Sequence, residues 1–189
     1  MASQSTTFLT EEEYLAIERK AETKSEYFRG EMFAMSGGSF SHASLSTNIV
    51  GELRSLLRTK HCRVLTEAMR LRVSTSGLYT YPDVMVVCGK PEFVDGVKDT
   101  LVNPVLIFEV LSTSTEAHDR GFKLEHYQKI PSVREFVMVS QTEPRVEVYR
   151  RQEGDNWLLI NIRGLDATVR LESVDCSIAM DEIYLNIEF

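Results

Sequence analysis

Apolar positions recur along this chain at distinct spacings, and each spacing predicts a different element. Leu45, Ile49, Leu53, Leu56 and Leu57 return every three or four residues, which predicts an amphipathic helix over about residues 41–60. Val84-Met85-Val86-Val87 and Pro104-Val105-Leu106-Ile107-Phe108 are unbroken apolar runs, suited to strands covered on both faces. Residues 63–65 and 69–73 alternate polar with apolar and read as half-buried strands. Residues 136–139, 146–149 and 157–162 read as further strands, with turns at Glu143-Pro144 and Gly154-Asp155.

Local signals mark the joints. Residues 1–8 form a polar lead. Thr10 with Glu13 predicts a capping box, with Leu9 and Tyr14 as its hydrophobic staple, so Glu11–Glu13 have a structural purpose at a helix start. Residues 27–33 predict a tight hairpin turning at Arg29-Gly30. Residues 89–103 and 112–116 read as loops. Asp119 can cap a short helix carrying Phe122, Leu124 and Tyr127, which Ile130-Pro131 ends. From residue 41 the order is helix, strands, helix, strand, giving an α/β (α+β) core with a mixed sheet. A length of 189 residues suits one domain, with an N-terminal helix and hairpin over 1–40, a core over 41–141 and antiparallel C-terminal strands over 142–189.

Composition removes whole classes. Hydrophobic residues at 43% and charged residues at 26% exclude a disordered or fibrous chain. No apolar run reaches membrane length, so no membrane partner is expected. The net charge of −7 excludes a protein that coats nucleic acid by electrostatics alone, but not one that binds it through a local groove and metal ions. Cys62, Cys88 and Cys176 form no CxxC pair and read as buried free thiols in a reducing compartment. The N-terminus lacks the basic start and apolar stretch of a signal peptide, and the expected location is cytoplasmic.

Two acids stand where burial is expected. Asp83 follows Tyr81-Pro82 at the mouth of one apolar strand, and Glu109 interrupts Ile107-Phe108-Glu109-Val110-Leu111 in the next. A carboxylate in an apolar strand is costly unless it is paired or bound to a cation. Two such acids on adjacent strands suit a hard cation such as Mg²⁺, which favours one or two carboxylates completed by water and substrate phosphate. On the residues alone, the plain alternative is an Asp capping a turn after Pro82 and a Glu paired with an Arg. The four histidines form no HExxH site, Ser112 lacks the glycines of a nucleophile elbow, and no Gly-Lys-Ser/Thr follows Gly37-Gly38.

Pro82-Asp83 followed 26 positions later by Glu109 resembles the PD-(D/E)XK nuclease superfamily. The sequence more closely resembles the Uma-type family of restriction endonucleases. The resemblance is carried by Tyr81-Pro82-Asp83-Val84, Glu109-Val110-Leu111-Ser112, Asp119-Arg120-Gly121-x-Lys123, Tyr127 and Ile130-Pro131-Ser132, with Tyr27 to Glu31 and the His42 helix start. It covers most of residues 8–142. It implies a restriction-endonuclease-like core and a metal-dependent endonuclease acting on DNA. Asp83, Glu109 and the Val110 carbonyl would hold Mg²⁺ or Mn²⁺. The superfamily lysine expected two residues after Glu109 is absent, since that position is Leu111. Lys123 is the migrated replacement the resemblance implies, orienting water or stabilising charge on phosphorus; by residue type alone it is a solvated surface lysine.

Glu31 is a candidate further acid or second-metal ligand, and His42 a candidate phosphate contact or proton-transfer group; an exposed hairpin glutamate and a helix-start histidine are the plain alternatives. Glu67 reads as the cross-strand partner of Arg70 and Arg72, and Glu116 and His118 as solvated loop residues. Arg63, Arg70, Arg72, Arg120 and Lys123 are the expected basic contacts to DNA. Two-strand cleavage implies a homodimer. The competing reading is a catalytically inactive nuclease fold serving as a nucleic-acid- or protein-binding module, which the missing lysine at position 111 favours. A small-molecule phosphohydrolase is a third reading, with no feature that marks it.

Overall fold

Helix α1 (Glu11–Glu18) starts where the sequence places it. The Glu13 amide donates to Thr10 Oγ1 at 3.2 Å, and the Thr10 amide donates to the Glu13 carboxylate at 2.8 Å. The structure is a computed structural model and describes residues 8–113 and 115–189. Residues 1–7 of the expected polar lead, and Ser114 in the 112–116 loop, lie outside the described residues. Strands β1 (Ser25–Phe28) and β2 (Glu31–Ala34) close on Arg29 and Gly30, whose φ values of 48° and 93° give the paired left-handed turn that matches strand twist.

Helix α2 (Phe40–Leu56) is capped by Ser39, whose hydroxyl accepts from the His42 amide at 3.1 Å. Its apolar stripe, Leu45, Ile49 and Leu53, is fully buried, at roughly 2–3 kcal/mol of apolar burial for each side chain. There follow β3 (Cys62–Thr66), β4 (Arg70–Val73), β5 (Leu78–Thr80), β6 (Val84–Cys88), β7 (Thr100–Leu101) and β8 (Leu106–Leu111). Helix α3 spans residues 116–127 without interruption, with an inner π segment, Asp119–Lys123, between α-helical ends. Then come β9 (Glu135–Ser140), β10 (Arg145–Arg151), β11 (Trp157–Arg163), β12 (Thr168–Leu171), β13 (Cys176–Ala179) and a short α4 (Met180–Ile183).

Six strands form the central sheet in the order β11-β10-β9-β8-β6-β3, in which β8 and β9 are parallel and the remaining neighbours antiparallel. One face packs on α2, β12, β13 and α4 through Val84, Val86, Phe108 and Val110. The other face carries Met85, Val87, Ile107 and Leu111 against Tyr127 of α3 and against a second sheet, β2-β1-β5-β4-β7. This is the mixed α+β architecture, sheets flanked by helices, that the element order predicts. The two unbroken apolar runs are indeed covered on both faces. β5 and β7 escape the sequence pattern because one is three residues long and the other two, too short to show a period.

Two expectations are corrected here. Cys62 and Cys88 are not free thiols: they are register partners across β3 and β6 and form a disulfide, leaving Cys176 as the buried free cysteine. Their separation of 26 residues concealed the pairing, which antiparallel register decides. The free-thiol argument for a reducing compartment falls with it. Asp119 is also not a helix cap. The helix begins earlier, at Glu116, and Asp119 is buried inside it. No helix among the described residues is long and apolar enough to cross a membrane.

Candidate active site

The antiparallel register of β6 and β8 pairs Val84 with Phe108, so the next step along each strand sets Asp83 opposite Glu109. Side chains alternate across a strand, and both acids fall on the face that carries Met85, Ile107 and Leu111. The strand ends are tied together by the Val110 amide, which donates to Asp83 Oδ2 at 2.7 Å. Asp83 Oδ1 lies 2.9 Å from His42 Nε2, so the first turn of α2 reaches the same point. That hydrogen bond is the main reason the His42 pKa stands above its usual value, against the opposing effect of burial.

Glu109 is buried, and the cost is offset from α3. Its Oε1 accepts from Lys123 Nζ at 3.0 Å and from the Tyr127 hydroxyl at 2.7 Å. Burial, with Asp83 and Asp119 nearby, still pushes the Glu109 carboxyl well above the usual carboxylate range. Lys123 is itself buried, 3.2 Å from Asp119 Oδ1 and 3.7 Å from Glu26 Oε1. Burial pulls its ammonium pKa down, and the three carboxylates more than reverse this, holding it above the ordinary lysine value. The solvated-lysine reading is therefore excluded. Leu111, two residues after Glu109 on the same face, packs into the apolar core, and the amine that meets Glu109 comes from α3.

Glu26 was not singled out by the sequence reading. It lies on β1, accepts from the Thr80 hydroxyl, and sits 3.7 Å from both Lys123 Nζ and His118 Nε2. Burial raises its pKa, but contact with His118 and the charge of Lys123 outweigh it, and the net shift is downward. Its only sequence signal was one acid in a four-residue strand, SEYF, beside an equally plausible acid at Glu31. Glu31 is exposed on β2 opposite Phe28, and no hydrogen bond or ion pair among the described residues joins it to this cluster.

The expected basic contacts are mostly committed elsewhere. Arg70 is buried and donates to Thr100, Tyr81 and Asp99; Arg72 pairs with Glu11; Arg120 pairs with Glu116 and Glu147. The expected Glu67 pairing with Arg70 and Arg72 is not the one formed. His118 sits on the first turn of α3, stacked on Phe122 at 4.8 Å, and Glu116 is an ion-pair partner of Arg120 rather than a solvated loop residue.

The donor set fits a divalent cation in kind. Glu26, Glu109 and Asp119 surround Lys123, and Asp83 meets His42, so four carboxyl groups gather around two basic side chains. Asp119 Oδ1 is buried with Lys123 Nζ as its ion-pair partner at 3.2 Å, and Asp83 raises the Glu109 pKa by charge repulsion. A cation relieves that repulsion. No three His, Cys, Asp or Glu side chains among the described residues are already gathered to hold one, so the fit is to two carboxylates completed by water and phosphate.

A mixed central sheet flanked by helices thus sets Asp83 and Glu109 opposite one another at adjacent strand ends. The chain belongs to the Uma2 family, described as "Putative restriction endonuclease", which matches residues 11–181. Two relatives come from Synechocystis. The uncharacterized protein slr1290 is 33% identical over 96% of this chain and 94% of its own, and the uncharacterized protein sll1609 is 36% identical over 89% and 96%. A crystal structure from Anabaena variabilis, titled as that of a putative nuclease belonging to DUF820, superposes with a TM-score of 0.75 at 19% identity. It covers 93% of this chain and 97% of that one.

Proposed function

We propose that the protein is a metal-dependent endonuclease that hydrolyses DNA phosphodiester bonds, with Asp83, Glu109 and the Val110 carbonyl as ligands to Mg²⁺ or Mn²⁺. The observation that carries this reading is the buried contact between Lys123 Nζ and Glu109 Oε1. It gives the site the amine that its strand motif lacks. When bound, the cation supplies Lewis-acid polarisation of the phosphate and a more acidic water. Lys123 orients the attacking water and stabilises charge growing on the phosphoryl oxygens. His42 steadies Asp83 and stands within reach of phosphate, and Tyr127 fixes the Glu109 rotamer. Water oxygen bonds to phosphorus, the bond to the 3′ oxygen breaks, and that oxygen takes a proton, leaving a 5′-phosphate and a 3′-hydroxyl. Glu31 has no part in this reading, and Glu26 takes the place of the further acid. Cutting both strands of a duplex calls for a homodimer, and light scattering reads that directly.

The test is cleavage of supercoiled plasmid at low salt with Mn²⁺, Mg²⁺ or EDTA. Metal-dependent nicking that disappears in Glu109→Ala and in Lys123→Ala supports the reading. Nicking retained by Glu109→Ala sinks it. One observation favours the alternative of an inactive binding module: Lys123 is enclosed by three carboxylates. On that reading the folded protein cuts under no condition and its stability ignores the metal.

A further inference from the structure

The committed state of Arg70, Arg72 and Arg120 leaves open which part of an acidic chain meets a polyanion. Arg54 near the end of α2, Arg58 just beyond it and Arg63 on β3 converge on a groove of about 350 Å³. All three are exposed. None has a carboxylate ion-pair partner among the described residues, and Arg63 makes only a long 3.5 Å contact to the Gly89 carbonyl. By contrast Arg19, Arg70, Arg72, Arg120, Arg145 and Arg150 each hold a carboxylate. The dipole of α2 accounts for basic residues at its C-terminal end. It does not account for Arg63, which comes from a different element and faces the same groove. Three like charges with no carboxylate partner among the described residues, in a chain whose acids outnumber its bases by seven, form an exposed basic surface able to attract an anion.

The groove is also connected to the candidate site by both elements that build it. His42, against Asp83, lies twelve residues before Arg54 on one helix, about 18 Å at 1.5 Å per residue. Arg63 lies three residues before Thr66, which pairs with Val84 next to Asp83, about 10 Å along the strand. Arg63 pairs with Val87 and so shares the sheet face of Asp83, opposite the face that packs on α2, and it meets Arg54 and Arg58 at the free edge of the sheet. These spans correspond to roughly three to five phosphates of one strand at 3.4 Å each along the axis. Cys62 lines the groove, and its disulfide to Cys88 holds β3 to β6, keeping Arg63 at a fixed offset from the site.

We infer that the Arg54, Arg58 and Arg63 groove at the sheet edge is the nucleic-acid backbone track of this protein, seating phosphates several nucleotides from the Asp83/Glu109 centre. This rests on the nuclease reading only for the identity of the centre. The track itself binds whether or not the centre cuts.

The experiment is fluorescence anisotropy in EDTA, so that no cleavage intervenes, with a labelled 20-base-pair DNA duplex, a 20-nucleotide DNA strand, the matching RNA and polyglutamate. The full-length wild type is compared with R54A/R58A/R63A and with the charge-retaining R54K/R58K/R63K across 50–200 mM salt. We expect the alanine variant to bind nucleic acid at least tenfold more weakly, with a log–log salt slope shallower by about 2–3, and the lysine variant to keep the slope. Comparable losses on duplex and single strand place the contact on the backbone. Equal slopes in wild type and alanine variant, no binding by the wild type at 50 mM salt, or equal affinity for polyglutamate each overturn the inference. Binding through the arginines with no plasmid cleavage under any metal overturns the endonuclease reading alone.

Discussion

Lys123 Nζ lies 3.0 Å from Glu109 Oε1, although the two residues stand fourteen apart on a helix and a strand. The contact is asymmetric in what its loss leaves behind. Lys123→Met strands Glu109, Asp119 and Glu26 around a buried gap without a cation, at an expected cost of about 3–5 kcal/mol. Glu109→Gln leaves Lys123 two acids and costs less. Urea unfolding of both variants and of the double variant measures this. The double variant should lose less than the sum of the singles, and strict additivity would refute the coupling.

Metal addition gives a readout independent of cleavage. At a hundredfold excess over Kd, a bound ion stabilises the fold by about 2.7 kcal/mol, or about 5–10 °C in melting temperature for a chain of this size. We expect Mn²⁺ to raise the wild-type melting temperature and to leave Asp83→Asn and Glu109→Gln unmoved. A similar rise in all three proteins would place the ion elsewhere.

Thiol counting tests the cross-strand pairing. Denatured without reductant, the chain should expose one titratable thiol, Cys176, and three after reduction. Reduction should lower stability by about 2–4 kcal/mol for a loop of this length. Three thiols before reduction would return Cys62 and Cys88 to the free state that their spacing first suggested.

Acid stability depends on Asp99, which Arg19 and Arg70 grip from two elements. The Arg19 hydrogen bond is the largest effect and holds the Asp99 pKa down to about 2. A depressed carboxylate pKa contributes stability above its unfolded value near 4, and that contribution is lost as pH falls toward 2. Asp99→Asn should therefore destabilise the protein at pH 6 and match the wild type near pH 2. A constant difference across that range would remove the ion pairs from the explanation.

Much of the fold was legible because its signals are local. The Thr10–Glu13 box, the Arg29-Gly30 turn and the buried stripe of α2 each rest on neighbours within four residues. The two apolar runs declared their own burial, and that made Asp83 and Glu109 conspicuous. Lys123 entered through family resemblance, since nothing in its own neighbourhood distinguishes a lysine bound for the interior from one bound for water. Glu26 and Glu31 flank one turn and look alike in sequence; strand pairing with β5 sends the first toward Lys123 and leaves the second in solvent.

The sequence by itself determined the longer elements, the mixed-sheet class and the two strand acids, because periodicity and burial cost are written residue by residue. Tertiary structure alone decided the partners. It turned Cys62 toward Cys88, spent Arg70 on Asp99, Arg72 on Glu11 and Arg120 on Glu147 besides its helix neighbour Glu116, and left Arg54, Arg58 and Arg63 beside one another with no carboxylate partner among the described residues. Those outcomes depend on strand register and on which charges are brought within a few ångströms, and a Coulombic contact between residues far apart in the chain has no counterpart in one-dimensional spacing.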